Sequence, residues 1–339
     1  MNDGSTQNPK ATILEIQRMS TEDGPGIRTT IFFKGCSLRC DWCHNPESIS
    51  TRPQIHWLAT QCIGCKTCLD VCPEGALSFT GEGNRIERNL CTGCGRCAEE
   101  CPAAALELLG RTWELADLVA EVIKDRIYFE KSGGGVTLGG GEPTLQVRFS
   151  IKLLQILKAH GIQTALDTCG MCSRDDLEKL LPIADLVMFD LKEIDPQKHK
   201  KFTGSTNEKI LDNLISVRNL MNSTGRPEDL WIRTPIIPNA TATEENIMGI
   251  GQFIAANLDG RVSRWELCAF NNLCRDKYLR LDLDWAYKNC DLLSKMFMEK
   301  MAAVARDSGV DPAIVHWSGS TRLETESEKL EAESSKLKG

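Results

Sequence analysis

The sequence has no surplus of positive charge and no long apolar segment. Of its 339 residues, 40 are Lys or Arg and 47 are Asp or Glu, so the formal net charge is −7. Without a basic surface, nucleic acid is not an expected partner. No apolar run approaches about 20 residues, and residues 1–10 are polar and lack the apolar core of a signal peptide. We therefore expect a cytoplasmic protein with no membrane partner.

Cysteine, in contrast, is abundant, and its placement is the main functional signal. Eleven of the sixteen cysteines fall into three short runs. In a small secreted protein this number would indicate disulfides, but in a chain without an export signal bound iron is the better interpretation. Iron–sulfur clusters are attacked by oxygen, so we expect a low-oxygen setting. At about 150 residues per domain, the length predicts two domains.

The first run has the spacing Cys-x3-Cys-x2-Cys, at Cys36, Cys40 and Cys43, with Trp42 just before the third cysteine. Three thiolates on a [4Fe–4S] cluster leave one iron open to a substrate. The alternative is a zinc knuckle that uses His44 as a fourth ligand. The turn-forming segment 24–26 and a short apolar strand at 28–33 come directly before this loop.

The second and third runs repeat one pattern, Cys-x2-Cys-x2-Cys-x3-Cys-Pro, in residues 62–73 and 91–102. This is the pattern of bacterial two-cluster ferredoxins, in which the fourth cysteine of each run ligates the other cluster. A pair of zinc sites is the alternative. We interpret residues 59–108 as an inserted two-cluster domain. The predicted ligands are Cys62, Cys65, Cys68 and Cys101 for one cluster, and Cys91, Cys94, Cys97 and Cys72 for the other.

Outside the insert, strand-like and helix-like segments alternate, which predicts βαβ units, a parallel sheet and an α/β fold. Domain boundaries follow at 11–58 and 109–317 on either side of the insert, with a polar, disordered tail at 318–339. The predicted strands are 28–33, 135–138, 163–167, 186–190, 230–236 and 264–267. The predicted helices are 113–129, 146–160, 173–181, 207–222, 243–257 and 284–308.

The cysteine loop, with its lead-in Asp-Gly-Pro-Gly-Ile-Arg-Thr at 23–29, resembles the radical S-adenosylmethionine (SAM) superfamily. Within it, the chain resembles the activating enzymes of glycyl radical enzymes, the pyruvate formate-lyase activating enzyme family, over residues 11–317. The resemblance implies a partial (β/α)6 barrel, three [4Fe–4S] clusters and SAM. One electron would cleave SAM to methionine and a 5′-deoxyadenosyl radical, which abstracts a Cα hydrogen from a glycine of the partner enzyme. An electron donor such as flavodoxin or ferredoxin is a second implied partner.

The resemblance also implies residues that contact SAM, and no catalytic residue beyond the cluster ligands. Residues 139–143, Gly-Gly-Gly-Glu-Pro, resemble the motif that holds the SAM amino group, although many relatives have Ser at position 139. Asn271 stands where relatives often have His. The implied SAM contacts are Trp42, Gly140, Gly141, Glu142, Asp167, Asp190, Lys192, Arg233 and Asn271. The positions implied for a monovalent cation are Asp167, Thr168, Met188 and Asp190.

Two other functions fit parts of the pattern. One is a radical SAM dehydrogenase or maturase that acts on another peptide or a small molecule. Its auxiliary cysteines would normally follow the barrel, whereas here they lie between the first and second strands. The other is an electron-transfer protein of the ferredoxin type, which would not need Glu142, Lys192 or a three-cysteine site. One inference does not depend on the resemblance: Arg233 lies inside an apolar strand and therefore needs an anionic partner.

Overall fold

The computed structural model describes residues 9–323, and strands and helices alternate through most of this length. The strands are β1 Lys10–Ser20, β2 Arg28–Phe33, β3 Gln54–Trp57, β4 Leu77–Thr80, β5 Gly83–Ile86, β6 Leu106–Leu109, β7 Arg111–Glu114, β8 Gly135–Gly140, β9 Gln163–Thr168, β10 Leu186–Asp190, β11 Asp229–Ile236, β12 Val262–Ala269 and β13 Val315–Ser318. The helices are α1 Thr67–Asp70, α2 Arg96–Glu99, α3 Leu115–Ile123, α4 Arg126–Ser132, α5 Val147–Ala159, α6 Arg174–Leu180, α7 Pro196–Thr203, α8 Glu208–Thr224, α9 Glu244–Asn257, α10 Arg275–Arg280 and α11 Lys295–Arg306.

The described residues form two compact units. The first contains residues 9–37, 44–162 and 275–284, and the second contains 38–43, 163–274 and 285–323. In the first unit the strand order is β8-β2-β1-β7, with β2 and β8 parallel and β1 antiparallel to both of its neighbours. This unit also contains two antiparallel pairs: β3, which precedes the insert, pairs with β6, and β4 pairs with β5 within the insert.

In the second unit, five parallel strands follow the order β9-β10-β11-β12-β13. Parallel strands require crossover connections, and here the helices α6, α8, α9 and α11 provide them. The strands are buried on both faces, as the fully enclosed run Leu186–Phe189 illustrates. All six predicted parallel strands are present within a few residues of their expected bounds, and β13 is an additional one.

Two predicted helices differ from the observed ones. The segment predicted as one helix, 113–129, forms the end of β7 followed by α3 and α4. Asp125 lies at the break between the two helices, where its carboxylate accepts from Arg18 and, at Oδ2, from Thr29 Oγ1 over 2.7 Å. The helix predicted from residue 284 begins only at Lys295, where Ser294 caps it. Before it, Trp285 and Tyr287 are buried against Phe270, so packing overrides the helical pattern.

Part of the predicted C-terminal tail is described, and the rest lies outside the described residues. Strand β13 includes Ser318, and the Arg322 amide donates to the Leu293 carbonyl over 3.0 Å. Residues 324–339 fall outside the structure's description. Within residues 9–323, no helix has the length and apolar character needed to cross a membrane.

Candidate active site and cluster cavities

The turn before the cysteine loop is held by Arg28, whose side chain is fully buried. Its Nε donates to Thr137 Oγ1 over 2.7 Å and its Nη2 donates to the Val136 carbonyl over 3.0 Å. Gly26 has φ +71°, and a Cβ there would lie 2.4 Å from the backbone nitrogen of Gly134. The lead-in motif therefore joins this turn to the start of β8, which fixes the direction in which β2 delivers Cys36.

The chain around Cys36 is held by backbone hydrogen bonds within the first unit. The Gly35 amide donates to the Ser48 carbonyl over 2.7 Å, and the Cys36 amide donates to the Ile49 carbonyl over 3.2 Å. Lys34 is also buried, and its ammonium donates to the Glu47 carbonyl oxygen over 2.6 Å. Burial lowers the pKa of Lys34 to about 8, against the opposing attraction of Glu47.

The other two cysteines of the loop belong to the second unit. The Cys43 amide donates to the Cys40 carbonyl over 3.0 Å, and the Asp41 amide donates to the Phe202 carbonyl at the end of α7. Trp42 is 5% exposed and packs against the Phe202 ring at 6.2 Å between centroids. Trp42 thus anchors the loop to α7, and its predicted contact with SAM stays a prediction. All three thiols of the loop are half-buried.

The glycine run at the end of β8 has a packing reason of its own. A Cβ at Gly141 would lie 2.2 Å from the Gly35 carbonyl oxygen, and Gly140 has φ +90°. The Glu142 amide donates to that same carbonyl over 2.7 Å. Glycine is therefore needed for β8 to approach the chain that leads to Cys36.

The Glu142 side chain is fully buried and caps the turn that follows it. One carboxylate oxygen, Oε1, accepts from the Thr144 amide over 3.1 Å and from Thr144 Oγ1 over 2.8 Å. This hydrogen bonding holds the carboxylate in one orientation. Its predicted role as the acceptor for the SAM ammonium stays a prediction.

Lys192 is the central cation of the second unit. It is 8% exposed, and its Nζ lies 2.5 Å from Asp190 Oδ2. Burial alone would lower the pKa of Lys192, but Asp190 and the thiols of Cys40 and Cys169 outweigh it and raise the pKa. Lys192 therefore stays charged, within electrostatic reach of one cysteine of the loop.

Two buried asparagines that the sequence analysis missed hold the backbone around Lys192. Asn246 donates from Nδ2 to the Lys192 carbonyl over 3.1 Å and accepts from the Ile194 amide over 2.8 Å. Asn207 donates from Nδ2 to the carbonyls of Glu193 and Ile194, both over 2.8 Å. Both asparagines are 1% exposed. Their signal in the sequence is weak, because a polar residue near a helix start is usually a simple cap.

Arg233 has carboxylate neighbours on both sides of its strand. In the strand register, Arg233 lies opposite Asp190 on β10 and Glu266 on β12. Its Nη1 is 3.4 Å from Asp167 Oδ2, and its Nε is 3.7 Å from Glu266 Oε2. Burial opposes the charge, yet Cys268 and these carboxylates raise the pKa of Arg233. The anionic partner that the sequence required is thus available within the protein. Glu266, an acidic residue inside an apolar strand, could have been noticed.

Of the four positions implied for a monovalent cation, three have hydrogen-bonding partners of their own, and one of them is Asp167, whose Oδ2 accepts from Arg233 Nη1 over 3.4 Å. Thr168 Oγ1 accepts from the Gly170 amide over 3.0 Å, and Asp190 pairs with Lys192. Met188 lies opposite Asp167 in the register of β9 and β10. Elsewhere, Asn271 Oδ1 accepts from the Leu273 amide over 3.2 Å in the turn after β12. The cation site and the Asn271 contact remain predictions.

The eight cysteines of the insert line two separate cavities in the first unit. Cavity I is lined by Cys62, Cys65, Cys68 and Cys101, and cavity II by Cys72, Cys91, Cys94 and Cys97. In each cavity, three thiols come from one run and the fourth comes from the other run. This is the grouping predicted for the ligands of two clusters. Apolar side chains complete the walls, Trp57 and Phe79 in cavity I and Ile55 and Ile86 in cavity II.

Four thiols around a largely apolar cavity suit a [4Fe–4S] cluster, whose irons each bind one thiolate. Within residues 9–323, no three His, Cys, Asp or Glu side chains converge on a single metal ion. Ligands on four separate irons need no such convergence. Burial and the neighbouring thiols raise the pKa of Cys97 to about 11. Its proton is therefore retained at neutral pH until a metal displaces it.

Three family models match the chain. The radical SAM superfamily model matches residues 87–249, a 4Fe-4S dicluster domain matches 61–108, and a 4Fe-4S single cluster domain matches 22–69. A radical SAM methyltransferase structure from Sphaerobacter thermophilus superposes with a TM-score of 0.51 at 14% identity. It covers 92% of this chain and 78% of that one, a likeness of fold alone.

Several curated relatives match nearly the whole chain. The (2S)-3-sulfopropanediol dehydratase activating enzyme of Klebsiella oxytoca is 39% identical, with 88% of this chain and 94% of the relative covered. The trans-4-hydroxy-L-proline dehydratase activating enzyme of Clostridioides difficile is 38% identical, with 78% of this chain and 86% of the relative covered. The choline trimethylamine-lyase activating enzyme of Oleidesulfovibrio alaskensis is 35% identical, with 88% of this chain and 95% of the relative covered.

The predicted fold class, a radical SAM α/β fold with a ferredoxin-like insert, is confirmed by these matches together with the parallel strands. So is the predicted enzyme class. The chain belongs to the radical SAM activating enzymes of glycyl radical enzymes.

Proposed function

We propose that this enzyme cleaves SAM at a [4Fe–4S] cluster held by Cys36, Cys40 and Cys43, and thereby removes a Cα hydrogen from one glycine of a partner glycyl radical enzyme. The observation that carries the proposal is the buried Lys192, which pairs with Asp190 in the same compact unit as Cys40 and Cys43. A pure electron carrier has no use for such a cation. When bound, the cluster supplies the single electron that the cleavage of SAM requires.

The chain's own side chains position SAM. Lys192 binds its carboxylate by a charge-assisted hydrogen bond, and Asp190 holds the ammonium of Lys192 in place. Glu142 accepts from the SAM ammonium through the carboxylate that Thr144 orients. Arg233, which lies between Asp190 and Glu266 in the register of the strands, adds a second positive charge to this set of side chains. Fixed positioning of this kind lowers the entropic part of the barrier to hydrogen abstraction.

The insert holds two further [4Fe–4S] clusters, one in cavity I and one in cavity II, so the loaded enzyme carries three. The grouping of four thiols around each cavity supports this count. The enzyme works in the cytoplasm, where thiols stay reduced, and none of the sixteen cysteines, all within residues 9–323, forms a disulfide. A small redox protein such as flavodoxin or ferredoxin supplies the electron.

The partner is a glycyl radical enzyme of the dehydratase or lyase type, by analogy with the enzymes that the relatives are named for activating. The test mixes anaerobically reconstituted enzyme, SAM and a reductant with candidate glycyl radical enzymes encoded beside it. Electron paramagnetic resonance (EPR) should show a persistent doublet on the partner, which collapses when its glycines are deuterated at Cα. Exposure to oxygen should then cut the partner's backbone at that glycine.

Matched cysteine variants make this test specific. Cys40→Ser should abolish SAM cleavage and leave the iron of the insert in place. Cys290→Ser, a half-buried thiol outside the three runs, should keep full activity. If the partners stayed silent while a small molecule was consumed with SAM, the dehydrogenase or maturase alternative would be right. Full SAM cleavage by Cys40→Ser would reject the proposed cluster site.

A further inference from the structure

The two halves of the insert repeat each other in burial as well as in sequence. In both runs the first cysteine is half-buried, the second is exposed, the third is buried and the fourth is half-buried. The fourth cysteine of each run also accepts one equivalent backbone hydrogen bond. The Ala76 amide donates to Cys72 Sγ over 3.3 Å, and the Ala105 amide donates to Cys101 Sγ over 3.2 Å. Exposure and backbone bonding therefore give the two cavities the same environment.

Side-chain hydrogen bonds break this symmetry. Asn84, at the start of the second strand of the β4–β5 hairpin, is 8% exposed, and its Nδ2 donates to Cys68 Sγ over 3.3 Å. Thr67 Oγ1 donates to Cys65 Sγ over 3.5 Å. Both acceptors belong to cavity I. Within the described residues, which include the whole insert, no side-chain donor is found on the sulfurs of cavity II.

The repeat itself explains half of this difference. The dipeptide between the second and third cysteines is Lys66-Thr67 in the first run and Gly95-Arg96 in the second. The hydroxyl that bonds to Cys65 therefore has no counterpart beside Cys94. Asn84 comes from the hairpin between the runs, which has no repeat at all.

The charged residues on the walls of the two cavities also differ, and the difference again favours reduction in cavity I. Lys66 is the charged side chain on the wall of cavity I, and Glu74 is the one on the wall of cavity II. Reduction of a cluster adds a negative charge, which a nearby cation favours and a nearby carboxylate opposes. Hydrogen bonds to the sulfurs also favour the reduced form. Both effects act to separate two otherwise matched sites.

We propose that Asn84 is a tuning residue that gives the cluster of cavity I a higher reduction potential than the cluster of cavity II. Thr67 and Lys66 act in the same sense. This inference rests on the proposed function, because it requires the insert to hold two clusters. Asn84 acts through the Cys68 sulfur, and its expected effect is on a potential rather than on the presence of iron.

The experiment is a redox titration of the reconstituted holoenzyme, followed by EPR, with the open cluster identified by the change in its signal when SAM is added. In Asn84→Leu, which keeps the size but removes the donor, the higher of the two remaining potentials should fall. We expect the reduction equilibrium to change about tenfold, which is 59 mV for a one-electron couple. Asn84→Asp, which also adds charge, should lower the same potential further.

Two more variants keep the test decisive. Thr67→Val should lower the same potential by less, and it settles the question if Asn84→Leu fails to load iron. Thr92→Val, on the wall of cavity II and with no hydrogen bond to a sulfur among the described contacts, should move neither potential. The inference is overturned if Asn84→Leu shifts the lower potential, shifts both equally or shifts neither. Iron analysis near four per chain would instead reject the two-cluster insert, which is a failure of the proposed function.

Discussion

The insert and the parallel sheet of the second unit are stabilised in different ways. The small apolar core around the insert contains Ile55, Ile86 and Leu106 together with two cysteines, Cys68 and Cys97. The strands of the second unit instead bury continuous apolar side chains, such as those of β10. An insert of about 50 residues has little apolar surface to bury, and domains of this size commonly depend on metals. We therefore expect the insert to depend on its metal ligands for folding, and the sheet to depend mainly on apolar burial.

The polar groups of the two regions differ in the same way. In the second unit, Lys192 and Arg233 already have carboxylate partners in the protein. The thiols of the insert gain their main partner only when iron binds. A site built from ion pairs between strands is therefore formed before its ligand arrives, whereas a site built from thiols forms with its ligand.

The largest expected effect is that of iron removal. Anaerobic chelation should leave the amides of β9 to β12 protected from hydrogen exchange and expose those of α1, α2 and β3 to β6. The reason is that metal binding supplies most of the folding free energy of such an insert. Hydrogen-exchange mass spectrometry of the loaded and stripped enzyme measures both regions at once. Retained protection in the insert would show that the two regions do not differ.

Next in size is a matched pair of core truncations. Ile232→Ala in β11, a fully buried position, should lower the free energy of unfolding by about 2–5 kcal/mol in both the loaded and the stripped enzyme. Ile86→Ala, on the wall of cavity II, should chiefly speed the loss of iron to a chelator. Chemical denaturation and iron-release kinetics are the measurements. Equal rates of iron release from the two variants would contradict the expectation that the sheet depends on apolar burial and the insert on its metal.

The third effect separates the SAM site from the insert. In Lys192→Ala the carboxylate of SAM loses its charged partner, and hydrogen bonds to charged groups contribute about 1.5–3 kcal/mol. SAM affinity should fall by roughly ten- to a hundredfold, with insert iron unchanged. Equilibrium binding of SAM measures this. Lys198→Ala, which removes an exposed ion pair with Glu245, is the control and should bind SAM normally. Unchanged affinity in Lys192→Ala would remove Lys192 from the site.

The smallest effect is a pH dependence confined to the second unit. Burial, with the nearby Lys192, lowers the pKa of His199 below 6.5, while the Ser205 carbonyl partly opposes this. Below pH 6.5 the unfolded chain therefore binds a proton that the folded chain does not, so stability falls as the pH drops through 6.5. His199→Gln should flatten that slope in denaturation curves, and His160→Gln, at an exposed position, should not. An unchanged slope in His199→Gln would contradict the lowered pKa.

Much of the site could be predicted because its signals are local. Cysteine spacing predicts which thiols line the same cavity, and the six parallel strands follow from their apolar runs and from the segments between them. The roles of single side chains were less accessible. The motif predicts that Glu142 and the glycine run contact SAM. In the structure Glu142 also accepts a capping hydrogen bond, and the glycine run also approaches Gly35 closely. One motif can serve packing and binding together, and the pattern alone does not separate the two.

The resemblance of the sequence to a known family implied the enzyme class, and the sequence by itself predicted the ligand types, their grouping into three runs, and the order of strands and helices. These are properties of spacing and periodicity within a few turns of chain. Only the tertiary structure decided that Glu266 faces Arg233, that Asp125 lies at a helix break and that Asn84 meets the Cys68 sulfur. Each of these contacts joins residues from separate elements. Their free energies depend on burial and distance, which no local pattern encodes.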